Sequence, residues 1–126
     1  MLFRSVLAVE CRTDDPVTVA QLRTLDHAPT RAAAIAERGF LAGLDAGCST
    51  PVGALAELSE EAGSEPALRM SGVIAAPDGS SVIRAHVTGA AGDGESLGRR
   101  LAHMLLEHGG SALLNRTSHD QRLPCG

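Results

Sequence analysis

The residues best suited to chemistry in this 126-residue chain are its three cysteines, and Cys48 stands apart by position. It follows Gly47 at the end of a helix-like pattern and precedes Pro51, where a strand-like run begins. A lone cysteine beside a strand is more often a small buried apolar residue than a functional one. A connection just past a helix end is, however, where accessible and functional side chains concentrate. The partial negative charge at a helix C-terminus disfavours a thiolate, so Cys48 does not read as a self-activated nucleophile of the protease kind. A thiol meeting a strongly electrophilic partner would not need that activation. On the residues alone, Cys48 remains either structural or accessible.

The other candidates are weaker. His103 and His108 are five residues apart and fall on different helix faces, and no CxxC or HxxxH pair exists, so no metal site is expected. Five histidines leave room for a Ser-His-Asp arrangement, but no GxSxG elbow supports one. The glycine-rich "GAAGDG" at Gly89 to Gly94 lacks the Lys-Ser/Thr ending of a phosphate loop and reads as a flexible lead-in to the last helix. Asp14, Asp15 and Glu37 read as capping or solvated carboxylates. No catalytic residue is assigned.

The elements that must position Cys48 follow from the pattern. Val6 to Cys11 is short and apolar and reads as a strand buried on both faces. Asp14 or Asp15 caps a helix opened by Pro16 and continued through Val17 to Leu25. Pro29 breaks that helix, and Thr30 caps the next, Arg31 to about Ala46, with Ala34, Ile35, Phe40, Leu41 and Leu44 on its apolar face. Gly39 and Gly43 interrupt it, which predicts close approach to a neighbouring backbone; Gly47 is placed as its left-handed C-cap. Three strand patterns follow, "VGALAEL", "ALRMSGVIAA" and "SVIRAHVTG", the last two joined by the reverse-turn signal "PDGS". A final amphipathic helix carries Leu97, Leu101, Met104, Leu105 and His108 on one face and ends at "HGG". The expected class is α+β: a small three-stranded antiparallel sheet with helices on one face, preceded by a strand-helix segment.

Composition narrows the function classes. The net charge is -4 and the arginines are dispersed, so no nucleic-acid partner is expected. No apolar run approaches membrane-spanning length, and "MLFRSVLAVECR" does not read as a secretory signal. Three widely spaced cysteines argue against a disulfide framework and for a reducing cytoplasm. Aromatics are 2% of residues, so aliphatic side chains and alanine must fill the core.

The order of these segments resembles the C-terminal part of the hydroxymethylbilane synthase (porphobilinogen deaminase) family. "LAVECR" resembles a late strand of the family's first domain. "LDHAPTRAAAIAERGFLAGLDAGCSTPVGALAEL" resembles a helix followed by a Gly-Cys-x-x-Pro-hydrophobic-Gly signature. "GVIAAPDGSSVIRAHVTG" resembles a hairpin and "LGRRLAHMLLEHGGSALL" a terminal helix. The resemblance implies that Cys48 holds a dipyrromethane cofactor through a thioether, with Gly47, Pro51 and Gly53 as scaffold. It implies stepwise condensation of four porphobilinogen units with loss of ammonia, each giving an electrophilic methylene-pyrrole that the bound pyrrole chain attacks.

The departures matter as much. Family members are at least about twice this length, and their acidic catalytic residue and substrate-binding arginines would lie in domains that this sequence does not contain. The expected organisation is residues 1–26 as a remnant of the first domain, 27–115 as the cofactor-attachment domain, and 116–126 as a flexible tail. The orphan strand should lack sheet neighbours, so a complementary chain or self-association is expected alongside porphobilinogen-derived pyrroles. The leading expectation is a part of a tetrapyrrole-forming transferase that is inactive alone. The competing one is a non-catalytic binding or assembly module, or a truncated product, derived from that domain.

Overall fold

A computed structural model describes residues 6–45, 51–59 and 65–114. Helix α1, Pro16–Arg23, starts where Asp15 turns its carboxylate onto the first turn. Asp15 Oδ1 accepts from the Thr18 backbone N–H at 3.0 Å and Oδ2 from the Thr18 hydroxyl at 2.6 Å. Those bonds to Thr18, the side-chain one foremost, hold the Asp15 carboxyl below its ordinary range. Pro16 occupies the first helical position, where its missing N–H is no loss. α1 buries no residue fully; Val19 and Leu22 are half-buried and Leu25 beyond it is exposed.

Helix α2, Ala28–Gly43, differs from expectation at both ends. Its cap is His27 rather than Thr30, with the imidazole Nδ1 accepting from the Thr30 N–H at 3.4 Å. Pro29 therefore lies inside the first turn instead of ending a helix, because the groups it removes are unpaired there anyway. At the other end α2 stops at Gly43, short of the expected Ala46, and Asp45 is left-handed with φ of 50°; the expected cap Gly47 lies outside the described residues. Aspartate tolerates that conformation better than most residues. The buried stripe is also shifted: Ala36, Gly39, Phe40 and Leu44 turn inward, while Ile35 and Leu41 stay exposed.

The three strands form an antiparallel meander in the order β1-β2-β3. β1 is Val52–Ser59, β2 Ala67–Ala75 and β3 Val82–Ala90. Ala56 pairs with Met70, and Met70 with Val87, so these three side chains share the helix-facing side. The β2–β3 connection is the expected "PDGS" turn. The Gly79 N–H donates to the Ala76 carbonyl at 2.9 Å, Gly79 is left-handed, and Asp78 Oδ1 accepts from Ser80 N–H.

After a 3₁₀ turn, Ala91–Asp93, the last helix α3 runs Gly94–Leu105. The glycine-rich lead-in is thus an ordered turn, tied by the Ala91 N–H to the Pro66 carbonyl at 3.1 Å. α3 buries Leu97, Gly98, Leu101, Ala102 and Leu105; Met104 is half-buried and His108 is exposed. The "HGG" segment does not end the helical path. It forms a widened turn over Leu106–Gly110, with Gly109 left-handed, and residues 111–114 are helical again. Leu113 is buried there, which holds the extra turn against the core.

The architecture is the expected one: α3 lies on β2 and β3, and α2 lies against α3 and along β1, all on one face. Phe40, Leu68, Met70, Ile74, Leu101 and Leu105 fill the centre and are fully buried. The expected backbone contact at Gly39 and Gly43 is present. A methyl on Gly39 would stand 2.6 Å from the Glu95 carbonyl oxygen, and one on Gly43 2.8 Å from the Ala102 methyl.

A further expectation fails. Val6 to Cys11 is not a strand, and all six residues are exposed. A strand exists only by virtue of a ladder with a neighbour, and among the described residues the sheet's three strands pair only with one another.

Candidate functional site

Cys48 and Gly47 fall in residues 46–50, outside the described residues, as does Cys125. What is described is the frame on either side. On the α2 side, Leu44 is buried and donates its N–H to the Phe40 carbonyl at 3.2 Å before the chain turns at Asp45. On the β1 side, the half-buried Pro51 accepts at its carbonyl from the Ala75 N–H at 2.9 Å, which sets the register of the whole β1–β2 ladder. Gly53 sits opposite Val73, where a methyl would only touch the valine at 3.4 Å.

A second link joins the two sides of that frame. Glu37 on α2 is half-buried, and its Oε1 accepts from the Ala56 N–H of β1 at 2.9 Å. Odd-numbered β1 residues face β2 with their backbone groups, so the Ala56 N–H points to the free edge of the sheet. A carboxylate accepting there satisfies an edge donor and fastens α2 to β1 across the Cys48 connection. By its sequence alone Glu37 is expected to be an ordinary capping or solvated carboxylate. Its position between the inward-facing Ala36 and Phe40 was the available signal. The opposite edge is treated similarly: Arg100 of α3 donates to the Thr88 carbonyl of β3 at 3.2 Å.

The remaining candidates are scattered. Asp14 pairs with Arg12 at 3.4 Å on the surface, and Asp15 is a cap. His27 is a cap, His103 sits 3.5 Å from Glu107, and His86 lies on the open face of the sheet. Cys11 is free and exposed. Among the described residues no three His, Cys, Asp or Glu side chains gather where they could hold a metal ion. No described helix is long and apolar enough to cross a membrane.

The described residues match a known family domain. Residues 31–107, from the first turn of α2 to just past α3, match the family described as porphobilinogen deaminase, C-terminal domain. The chain belongs to the porphobilinogen deaminase family. A porphobilinogen deaminase from Nocardia farcinica is 48% identical over 115 residues, covering 88% of this chain and 33% of the relative. One from Pelotomaculum thermopropionicum is 40% identical over 116 residues, covering 92% and 36%. One from Mycobacterium avium is 45% identical over 121 residues, covering 93% and 38%. The chain thus spans little more than a third of the length of these porphobilinogen deaminases. Coverage of this extent also reaches N-terminal of Arg31, so part of the α1 region is shared with porphobilinogen deaminases although the C-terminal-domain match begins later.

Proposed function

We propose that this chain supplies the cofactor-attachment portion of a porphobilinogen deaminase, with Cys48 as the thioether anchor of a dipyrromethane primer. One observation carries the reading: of Cys11, Cys48 and Cys125, only Cys48 falls within the matched residues 31–107. The chemistry of the group fits, because a dipyrromethane needs one covalent sulfur bond, and one thiol on the α2–β1 connection can make it. When bound, that group offers the free pyrrole carbon from which four porphobilinogen units are added with loss of ammonia. The described residues frame the connection that carries Cys48: Leu44 and Pro51 are hydrogen-bonded at its two ends, and Glu37 fastens α2 to β1.

In this reading residues 27–115 are the attachment domain, 1–26 belong to the neighbouring domain and 116–126 are a tail. The acid catalyst and the substrate-binding arginines reside in the other two-thirds of the enzyme, so this chain alone does not turn over, and the assembled enzyme works in the cytoplasm. The test is intact mass, peptide mapping and a pyrrole-aldehyde colour reaction. The chain is co-expressed with the other two-thirds of a relative in a cell that makes porphobilinogen. A dipyrromethane increment on Cys48, absent in Cys48→Ser, is expected. An unmodified thiol would favour a non-catalytic assembly module or truncated product derived from the same domain. Conversion of porphobilinogen by the purified chain alone would overturn the claim of inactivity.

A further inference from the structure

The two edges of the sheet are not equally closed. In the β2–β3 ladder the Ala91 N–H donates to the Pro66 carbonyl and the Ala76 N–H to the Ser81 carbonyl, so odd-numbered β3 residues turn their backbone groups towards β2. Even-numbered ones therefore turn theirs outward. On the β1 edge, α2 lies alongside and Glu37 takes the Ala56 N–H. On the β3 edge, the Arg100 guanidinium covers the Thr88 carbonyl. Val82, Arg84 and His86 have no such cover among the described residues, and each offers an N–H and a C=O to a further strand.

The same three residues are exposed on the open face of the sheet, away from the helices. Arg84 stands beside Val73 of β2, with Gly53 beyond it on β1, so no carboxylate shares its row. His86 stands beside Ser71, with Leu55 beyond. Glu57 is the acid on this face among the described strand residues, and it lies in the row of Arg69 and Thr88. The free edge is thus basic in a chain whose net charge is -4. A charged edge discourages strand pairing, but selectively: neutral and basic strands are opposed, while a strand carrying carboxylates gains.

We propose that the edge of β3 over residues 82–86 is a docking site for an extended acidic segment of a separate polypeptide, which adds to the three-stranded sheet as a further strand. Its backbone pairs with the outward groups of Val82, Arg84 and His86. Its carboxylates alternate along the strand so as to meet Arg84 and His86, and an apolar residue covers Val82, which is 47% exposed. The Arg84 guanidinium gives one carboxylate a bidentate partner. A second copy of this chain is a poor occupant. Antiparallel pairing of two β3 edges over the open stretch sets Arg84 against Arg84, and like charges directly opposite resist pairing.

The inference rests on the strand register and not on the role proposed for Cys48. The probe is a labelled peptide, Thr-Glu-Thr-Glu-Thr-Val-Thr, compared with its counterpart carrying Lys in place of Glu. Each is titrated into the full chain at low salt, followed by fluorescence anisotropy and by NMR. Saturable binding of the acidic peptide alone is expected, weakening as salt rises, with slowed amide exchange at Val82, Arg84 and His86. Arg84→Glu should lower affinity for the acidic peptide about tenfold and admit the lysine peptide. Because Arg84 is exposed, the thermal unfolding of that variant should be unaltered, which separates docking from folding. Absence of saturable binding, or equal affinity in Arg84→Glu, overturns the inference. So do equal shifts with glutarate, which would make the edge a site for small carboxylates, and a dimer of this chain joined through β3. Loss of peptide binding when the chain is co-expressed with the other two-thirds of a relative overturns it too, since the edge would then be an internal contact of the enzyme.

Discussion

Replacing Gly98 by alanine should be among the most damaging small substitutions in this protein, although alanine is the better helix former. Gly98 lies on α3 where that helix crosses α2. A methyl there would overlap the Ala36 carbonyl oxygen and stand 2.6 Å from the Phe40 nitrogen and 3.0 Å from the Gly39 carbonyl carbon. All three atoms are backbone of α2, so no side chain can swing aside, and the helices must part by about 1 Å to reach ordinary contact distance. A gap of that order forfeits roughly a quarter to a half of each dispersion contact around it. The contacts at risk are those of Phe40, Leu101 and Ala102, which are fully buried beside the crossing. Overpacking a core costs about 1–3 kcal/mol and sometimes more. Rigid backbone on the receiving side places Gly98→Ala at the upper end or beyond. Alanine returns about 1 kcal/mol of helix propensity. The net loss is then about 2–3 kcal/mol, or on the order of 10–15 °C in Tm for a domain of this size. Denaturant unfolding followed by circular dichroism measures it as a lowered midpoint at unchanged slope. Gly92→Ala, where a methyl would meet nothing within 4 Å, serves as the neutral comparison. A Gly98→Ala protein as stable as wild type would refute the backbone-to-backbone crossing and with it the described packing of α2 on α3.

Two further outcomes follow from single hydrogen bonds. Glu37→Ala leaves the Ala56 N–H without its 2.9 Å acceptor and should cost about 1–2 kcal/mol, while Glu37→Gln keeps an acceptor oxygen and should lose less. Amide exchange at Ala56 should quicken in the alanine variant alone, and equal exchange in both variants would remove Glu37 as the edge acceptor. Asp15 titrates below its ordinary value of 3.8 because Thr18 donates to its ionised form. The sign follows: a lowered folded-state pKa stabilises α1 above the ordinary carboxylate range, and that contribution fades as pH falls through the lowered value. An NMR titration should show the Asp15 carboxyl and the Thr18 amide moving together below 3.8; a midpoint at or above that value would contradict the cap.

Local signals were legible where one short stretch carries its own cause. The capping carboxylate before Pro16, the three strand patterns and the "PDGS" turn were all readable, as was the α+β class they assemble into. The glycines of α2 were readable as a demand for close approach, though not as to which helix would answer it. Errors arose where local preference met a tertiary alternative. Pro29 was read as a breaker, yet in a first turn it is harmless. Ile35 and Leu41 were placed on the buried face by their hydrophobicity, yet the crossing at Gly39, Gly43 and Gly98 admits the small-residue side of α2 and leaves them outside.

What the sequence by itself determined is the order of the helices and of the three sheet strands, and the antiparallel meander. Its segment order also carried the porphobilinogen deaminase resemblance that the family match bears out. Only the tertiary structure decided which side of α2 turns inward, that Glu37 reaches the free edge of β1 nineteen residues away, and that Val6 to Cys11 has no ladder to join. The reason is physical. Helix periods, caps and turns depend on residues a few positions apart, whereas packing, edge pairing and strand existence depend on which distant backbone arrives alongside.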